Sequence, residues 1–96
     1  MSTDVNVSEK VQTALAILQG SGVRCGQEYR HYKTGKVYRV VAIGLFEGSL
    51  EPVVHYQSTN TNTDDQDQVL WTRPLQGFCG VVPKEGTLVP RFARID

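Results

Sequence analysis

From Val7 to Gln19 the apolar residues recur at helical spacing. Val7, Val11, Ala14, Leu15 and Leu18 fall at offsets of 4, 7, 8 and 11, which makes one stripe on a helix over residues 7–19. Asp4, Asn6 or Ser8 is a candidate cap for its start, Glu9 suits its first turn, and Gly20 and Gly22 stop it. Thirteen residues are marginal as a free helix in water. The stripe is therefore expected to pack on the remainder of the chain or on a second copy.

From Glu28 onward the period shortens to two. Residues 28–33 and 36–46 form β-rich runs on either side of Thr34-Gly35, the pattern of a hairpin whose register Thr-Gly leaves uncertain by one. Within the first run Tyr29, His31 and Lys33 share one face, and Arg30 and Tyr32 share the other. Glu47-Gly48-Ser49 is a turn, and residues 52–58 make a third strand in which Val53, His55 and Gln57 oppose Val54, Tyr56 and Ser58. Thr59 to Asp67 is polar without an apolar anchor, so a mobile loop is expected there. Residues 69–73 read as a fourth strand ended by Pro74, followed by a tight turn over 75–78 packed on the core. Two further strands are expected at 79–82 and 88–92, joined by Pro83-Lys84-Glu85-Gly86. Five or six short strands in meander order predict a mainly β fold, a small barrel over 26–96 behind a helical extension over 1–25.

Composition narrows the function classes. The chain has 96 residues, enough for one modest core and too few for a deep cleft without help from a partner. Ten basic and ten acidic side chains cancel, so no overall field draws the chain to nucleic acid, although a local basic stripe is compatible with that balance. Two cysteines, Cys25 and Cys79, are too few for a disulfide framework. The opening MSTDVN lacks a leader's basic-then-apolar pattern, and the longest apolar run, Val40–Phe46, is far shorter than a membrane span. A cytoplasmic location is expected.

The run Tyr29-Arg30-His31-Tyr32-Lys33, then Tyr38, Val40, Glu51, Val53-Val54, Tyr56-Gln57 and finally Trp71-Thr72-Arg73-Pro74-Leu75 with Phe78, resembles a family of short bacterial domains. It is similar to domain-of-unknown-function family 1653, with its YRHYKG opening and W-x-R-P closing motif. The likeness covers about residues 26–82 and implies a small SH3-like barrel, with no established activity. The chain departs from the family pattern in three places. Thr34 intervenes in the Lys-Gly pair, Gly44-Leu45-Phe46 replaces an Ala-x-His segment, and a longer Thr/Asn/Asp segment replaces a Leu-Tyr-Gly-Asp loop.

The chemistry-bearing residues sort into four sets. Tyr29, Arg30, His31, Tyr32, Trp71 and Arg73 combine rings with cations, the composition of a β face that stacks bases or holds a cation. The same residues also suit the core and rim of a small barrel, with Arg73 paired to Glu28, Glu47 or Glu51. Cys25 and Cys79 with His31 and His55 lie in no nucleophile motif and lack the paired spacing of a zinc site. Asp64, Asp65 and Asp67 lack the glycine and distal glutamate of a calcium loop. Glu47 and Glu51 flank a turn, where exposed carboxylates are common, and Gly20-Ser21-Gly22 follows a helix, the wrong order for a phosphate loop. No cofactor and no metal is expected. The expected function is a non-catalytic binding module at the first set, for nucleic acid, a peptide segment or a small polar molecule. The alternatives are an assembly protein that dimerises through its 7–19 helix and, behind it, a small enzyme using His31.

Overall fold

The computed structural model describes residues 2–60 and 65–96, with side chains described from Val7 onward. Helix α1 (Ser2–Ser21) is followed by β1 (Glu28–His31), β2 (Val37–Leu45), β3 (Pro52–Ser58), a 3₁₀ turn (Asp65–Gln68), β4 (Trp71–Pro74) and a single helical turn, α2 (Leu75–Phe78). Strands β5 (Val81–Lys84), β6 (Thr87–Pro90) and β7 (Phe92–Arg94) complete the chain. The main sheet is antiparallel in the order β4-β3-β2-β1-β7, and β5-β6 forms a separate hairpin.

Helix α1 starts earlier than the apolar stripe, so Asp4, Asn6 and Ser8 lie inside it rather than capping it. Its buried face is narrower than expected: Ala14 and Leu18 are buried, whereas Val7 and Leu15 are exposed. The end of α1 is tied down by polar contacts. Ser21 Oγ donates to the Leu18 carbonyl at 2.6 Å, and Gly22 takes the positive φ that closes a helix. Buried Gln27 joins this end to the sheet. Its amide donates to the Gly22 carbonyl, and its carbonyl accepts from the Arg24 N–H and the Tyr29 hydroxyl, both at 2.8 Å. Leu18 and Val23 share one core cluster with residues of the sheet.

The β1–β2 hairpin has the register Tyr29 opposite Tyr38 and Arg30 opposite Val37. A bulge between Val40 and Ala42 then shifts the phase of β2. Tyr38 and Val40 before it, and Ile43 and Leu45 after it, all pack on the core, while Val41 faces solvent. β3 covers the expected residues, with Val54 and Tyr56 in the core. β4 differs from expectation at both ends. Val69 and Leu70 are exposed outside it, and Pro74 belongs to it, opposite Val53. An edge strand tolerates a residue with no N–H to donate, and β4 is an edge. Three strands stand where two were expected near the C-terminus. Glu85 and Gly86 both take positive φ, the turn that lets β5 and β6 pair tightly and leaves Phe92 free to open β7.

No hydrogen-bonded ladder joins β4 to β7, so the expected barrel is open among the described residues. The sheet is nevertheless rolled. In a flat sheet its two edges would stand about 19 Å apart, four strand spacings. Here the Arg73 guanidinium on β4 lies 5.9 Å from the centroid of the Phe92 ring on β7. The rolled inner face holds an aromatic core. Phe92 stacks on Phe78 of α2 at 4.4 Å and meets Tyr56 edge-on at 5.2 Å, while Phe78 meets Tyr29 edge-on at 5.0 Å.

Residues 61–64 of the expected mobile loop lie outside the described residues. The part that follows is anchored, contrary to the expectation of a wholly solvated segment. Asp67 is buried in the 3₁₀ turn, 3.3 Å from Lys36 Nζ. No helix among the described residues is long and apolar enough to cross a membrane.

Candidate binding cleft

Opposed residues of antiparallel strands point to the same side of a sheet. His31 opposite Phe92, Tyr56 opposite Trp71 and Val54 opposite Arg73 therefore bring His31, Trp71 and Arg73 to the inner face. Rolling the sheet carries β4 toward β1 and β7, and a cleft of about 180 Å³ remains where the edges approach without pairing. It is lined by His31, Tyr38, Tyr56, Trp71 and Arg73.

Arg73 is held from two sides. Its Nε donates to the Tyr56 hydroxyl at 3.4 Å, and its guanidinium faces the Phe92 ring. Glu28, Glu47 and Glu51, the partners expected for it in a purely structural role, do not pair with it. Glu28 binds Arg39 at 2.7 Å instead, and no carboxylate reaches Arg73 among the described residues. Among the described residues the hydrogen bond given for this guanidinium is the one to the Tyr56 hydroxyl. Trp71 is 40 % exposed where it lines the cleft.

His31 sits edge-on to Phe92 at 5.1 Å and against Tyr32 at 5.0 Å. Burial lowers its pKa below the ordinary 6.5, and the charges of Arg73, Arg91 and Lys33 lower it further. The imidazole is therefore neutral near pH 7. Its Nδ1 accepts the Lys33 backbone N–H at 3.2 Å, which places the ring proton on Nε2. Tyr38 is pushed up by burial, so its hydroxyl stays protonated. The cleft presents aromatic walls, a guanidinium without a carboxylate partner among the described residues, and hydroxyl and imidazole donors.

Beside the cleft runs a second recess of about 500 Å³, whose lining includes Arg30, His31, Tyr32, Lys33 and Lys84. Lys84 Nζ donates to the Tyr32 carbonyl at 3.1 Å and fixes the β5–β6 hairpin against the β1–β2 turn. Of the six candidate residues, His31, Trp71 and Arg73 meet in the cleft, Arg30 and Tyr32 join His31 along the groove, and Tyr29 is buried in the core. Tyr38 and Tyr56 are cleft walls that the sequence did not single out as site residues. Tyr38 was obscured by the undecided hairpin register, and Tyr56, whose strand face was legible, became a cleft wall only through the roll of the sheet.

The other candidates stay apart. His55 bonds Thr72 Oγ1 at 2.8 Å and pairs with Ala42 and Thr72, on the sheet face opposite His31. Both cysteines are free: Cys25 Sγ donates to the Val41 carbonyl, and burial raises the Cys79 thiol. Among the described residues no three His, Cys, Asp or Glu side chains gather as a metal site needs. Asp64 lies outside the described residues, and Asp65 is exposed while Asp67 is committed to Lys36.

The family model for the proteins of unknown function called DUF1653 matches residues 27–94. The chain belongs to this family. The crystal structure of a DUF1653 protein from Bordetella bronchiseptica is similar, with a TM-score of 0.62 and 28 % identity over 77 % of this chain and 88 % of that one. None of the curated proteins matches the chain. For this DUF1653 member the match spans β1 to β7 and both recesses, and leaves α1 outside it.

Proposed function

We propose that this protein is a non-catalytic binding module whose ligand enters the cleft between His31, Trp71 and Arg73. The observation that supports this most directly is Arg73: a part-buried guanidinium held over a ring, with no carboxylate partner among the described residues. An incoming anionic acceptor would pair with it without displacing a carboxylate. The rolled sheet suits the SH3-like barrel implied by family resemblance, with the ligand at the unpaired seam. A cytoplasmic setting suits its two free thiols.

The test is a titration of ¹⁵N-labelled protein with separate pools of oligonucleotides, nucleotides and peptides. The Trp71 indole and the amides of His31, Tyr56 and Arg73 are expected to shift with one pool. Shifts confined to other surfaces, or none with any pool, overturn the assignment.

A second reading rests on α1, where Leu15 and Ile17 are 43 % and 54 % exposed. In this reading the helix pairs two copies of the chain. Leu15→Glu with Ile17→Glu leaves the buried Leu18 in place and should convert a dimer to a monomer in sedimentation. Identical sedimentation of wild type and variant rules this reading out.

A further inference from the structure

His31 lines both the cleft and the groove beside it, while Arg30, opposite Ala93, lies on the other face of β1. The cleft is aromatic and the groove cationic, and no Asp or Glu among the described residues lines either. Arg30, Lys33 and Lys84 on the groove and Arg73 in the cleft have no carboxylate partner among those residues. Asp67, whose charge acts on Tyr38, is neutralised by Lys36. A chain with zero net charge thus gathers, around His31, cations without a carboxylate partner among the described residues, near a half-exposed indole.

From this, and resting on the binding-module reading above, we infer that the ligand is single-stranded nucleic acid. One base lies against Trp71 in the cleft, and the adjoining phosphates run along Arg30, Lys33 and Lys84. Stacking rings beside a cationic track is the combination that holds single strands without reading their sequence. The cleft's about 180 Å³ suits one base rather than several. An acidic peptide would satisfy the groove but leave the aromatic walls unused.

The experiment follows binding of a short fluorescent oligodeoxythymidylate to the full chain, with an oligoglutamate of equal charge as the competing probe. Three phosphate contacts give a salt slope near −2 for a single strand, a loss of roughly 20-fold in affinity between about 50 and 200 mM salt. Trp71→Ala should weaken binding about tenfold or more at every salt concentration, as the loss of one stacked base does. Lys33→Gln with Lys84→Gln should instead reduce the slope to about one third, removing two of three contacts. Far-ultraviolet dichroism confirms that each variant is folded. Tighter binding of oligoglutamate, or a slope unchanged in the lysine variant, overturns the nucleic-acid inference while the cleft assignment stands if the Trp71 indole still shifts. If no probe shifts the indole, both readings fall.

Discussion

The Arg73 guanidinium lies 5.9 Å from the centre of the Phe92 ring, although the two residues sit on strands at opposite edges of one sheet. That contact measures how far the sheet has rolled, and it divides the aromatic residues by role. Phe92, Phe78 and Tyr29 lie inside the roll, while Trp71 and Arg73 stand at its open seam.

The division predicts unequal costs of truncation. Phe92 is buried and touches Phe78, Tyr56, Tyr38 and His31, so Phe92→Ala should lose about 3–5 kcal/mol. Trp71→Ala, from a ring 40 % exposed, should lose less, about 2 kcal/mol. Urea unfolding of both variants checks the contrast, and equal losses would mean that Trp71 belongs to the core.

Arg73→Gln removes the charge and keeps a hydrogen-bond donor near Tyr56. The weak 3.4 Å bond and the ring contact together imply a stability loss of about 1 kcal/mol, a shift of roughly 4–8 °C in melting temperature. Ligand affinity should fall far more, by tenfold or more. A calorimetric scan beside a binding isotherm separates the two effects.

His31 gives the fold a pH dependence of known sign. Its folded-state pKa is depressed, first by burial and then by Arg73, Arg91 and Lys33, while the unfolded chain protonates it near the ordinary 6.5. The unfolded state therefore binds the proton first, and stability falls as pH drops from about 6.5 through the folded-state pKa. Urea midpoints between about pH 7.5 and pH 5 should decline less in His31→Gln than in wild type. An anionic ligand beside the ring favours imidazolium, so its affinity should rise over the same acid range; a flat profile contradicts the placement of the anion.

Asp67 has a side chain only 3 % exposed, and Lys36 pairs with it at 3.3 Å, itself about one-third exposed. Asp67→Ala should cost about 1–2 kcal/mol, less than a fully buried pair because solvent screens the lysine. The loss should appear as faster amide exchange across residues 65–71, leaving β1–β2 protected. Uniformly faster exchange would mean that the pair supports the whole fold.

The strand order was legible from the alternation of residues 28–58, and the turn over 75–78 from its apolar ends. The bulge at Val41 was not, because an extra residue in a strand leaves the same composition as a regular one. The fourth strand does end at Pro74, but Pro74 is its last residue rather than a stop outside it, because β4 is an edge, a property of the sheet rather than of the segment. The convergence of His31, Trp71 and Arg73 required the roll, which no local pattern encodes. Tyr29 shares a strand face with His31 yet lies two residues deeper, under α2. The gathering of Arg30, Lys33 and Lys84 at one groove was not legible because a net charge of zero says nothing about where charges lie in the fold.

The most direct test follows the Trp71 indole signal, the only one in the chain, in a labelled sample titrated with the short oligodeoxythymidylate. The indole and the His31 amide should move together with saturation, and the shifts should vanish in Arg73→Gln. Binding that leaves the indole unmoved, or shifts that persist unchanged without Arg73, would contradict the cleft as the site.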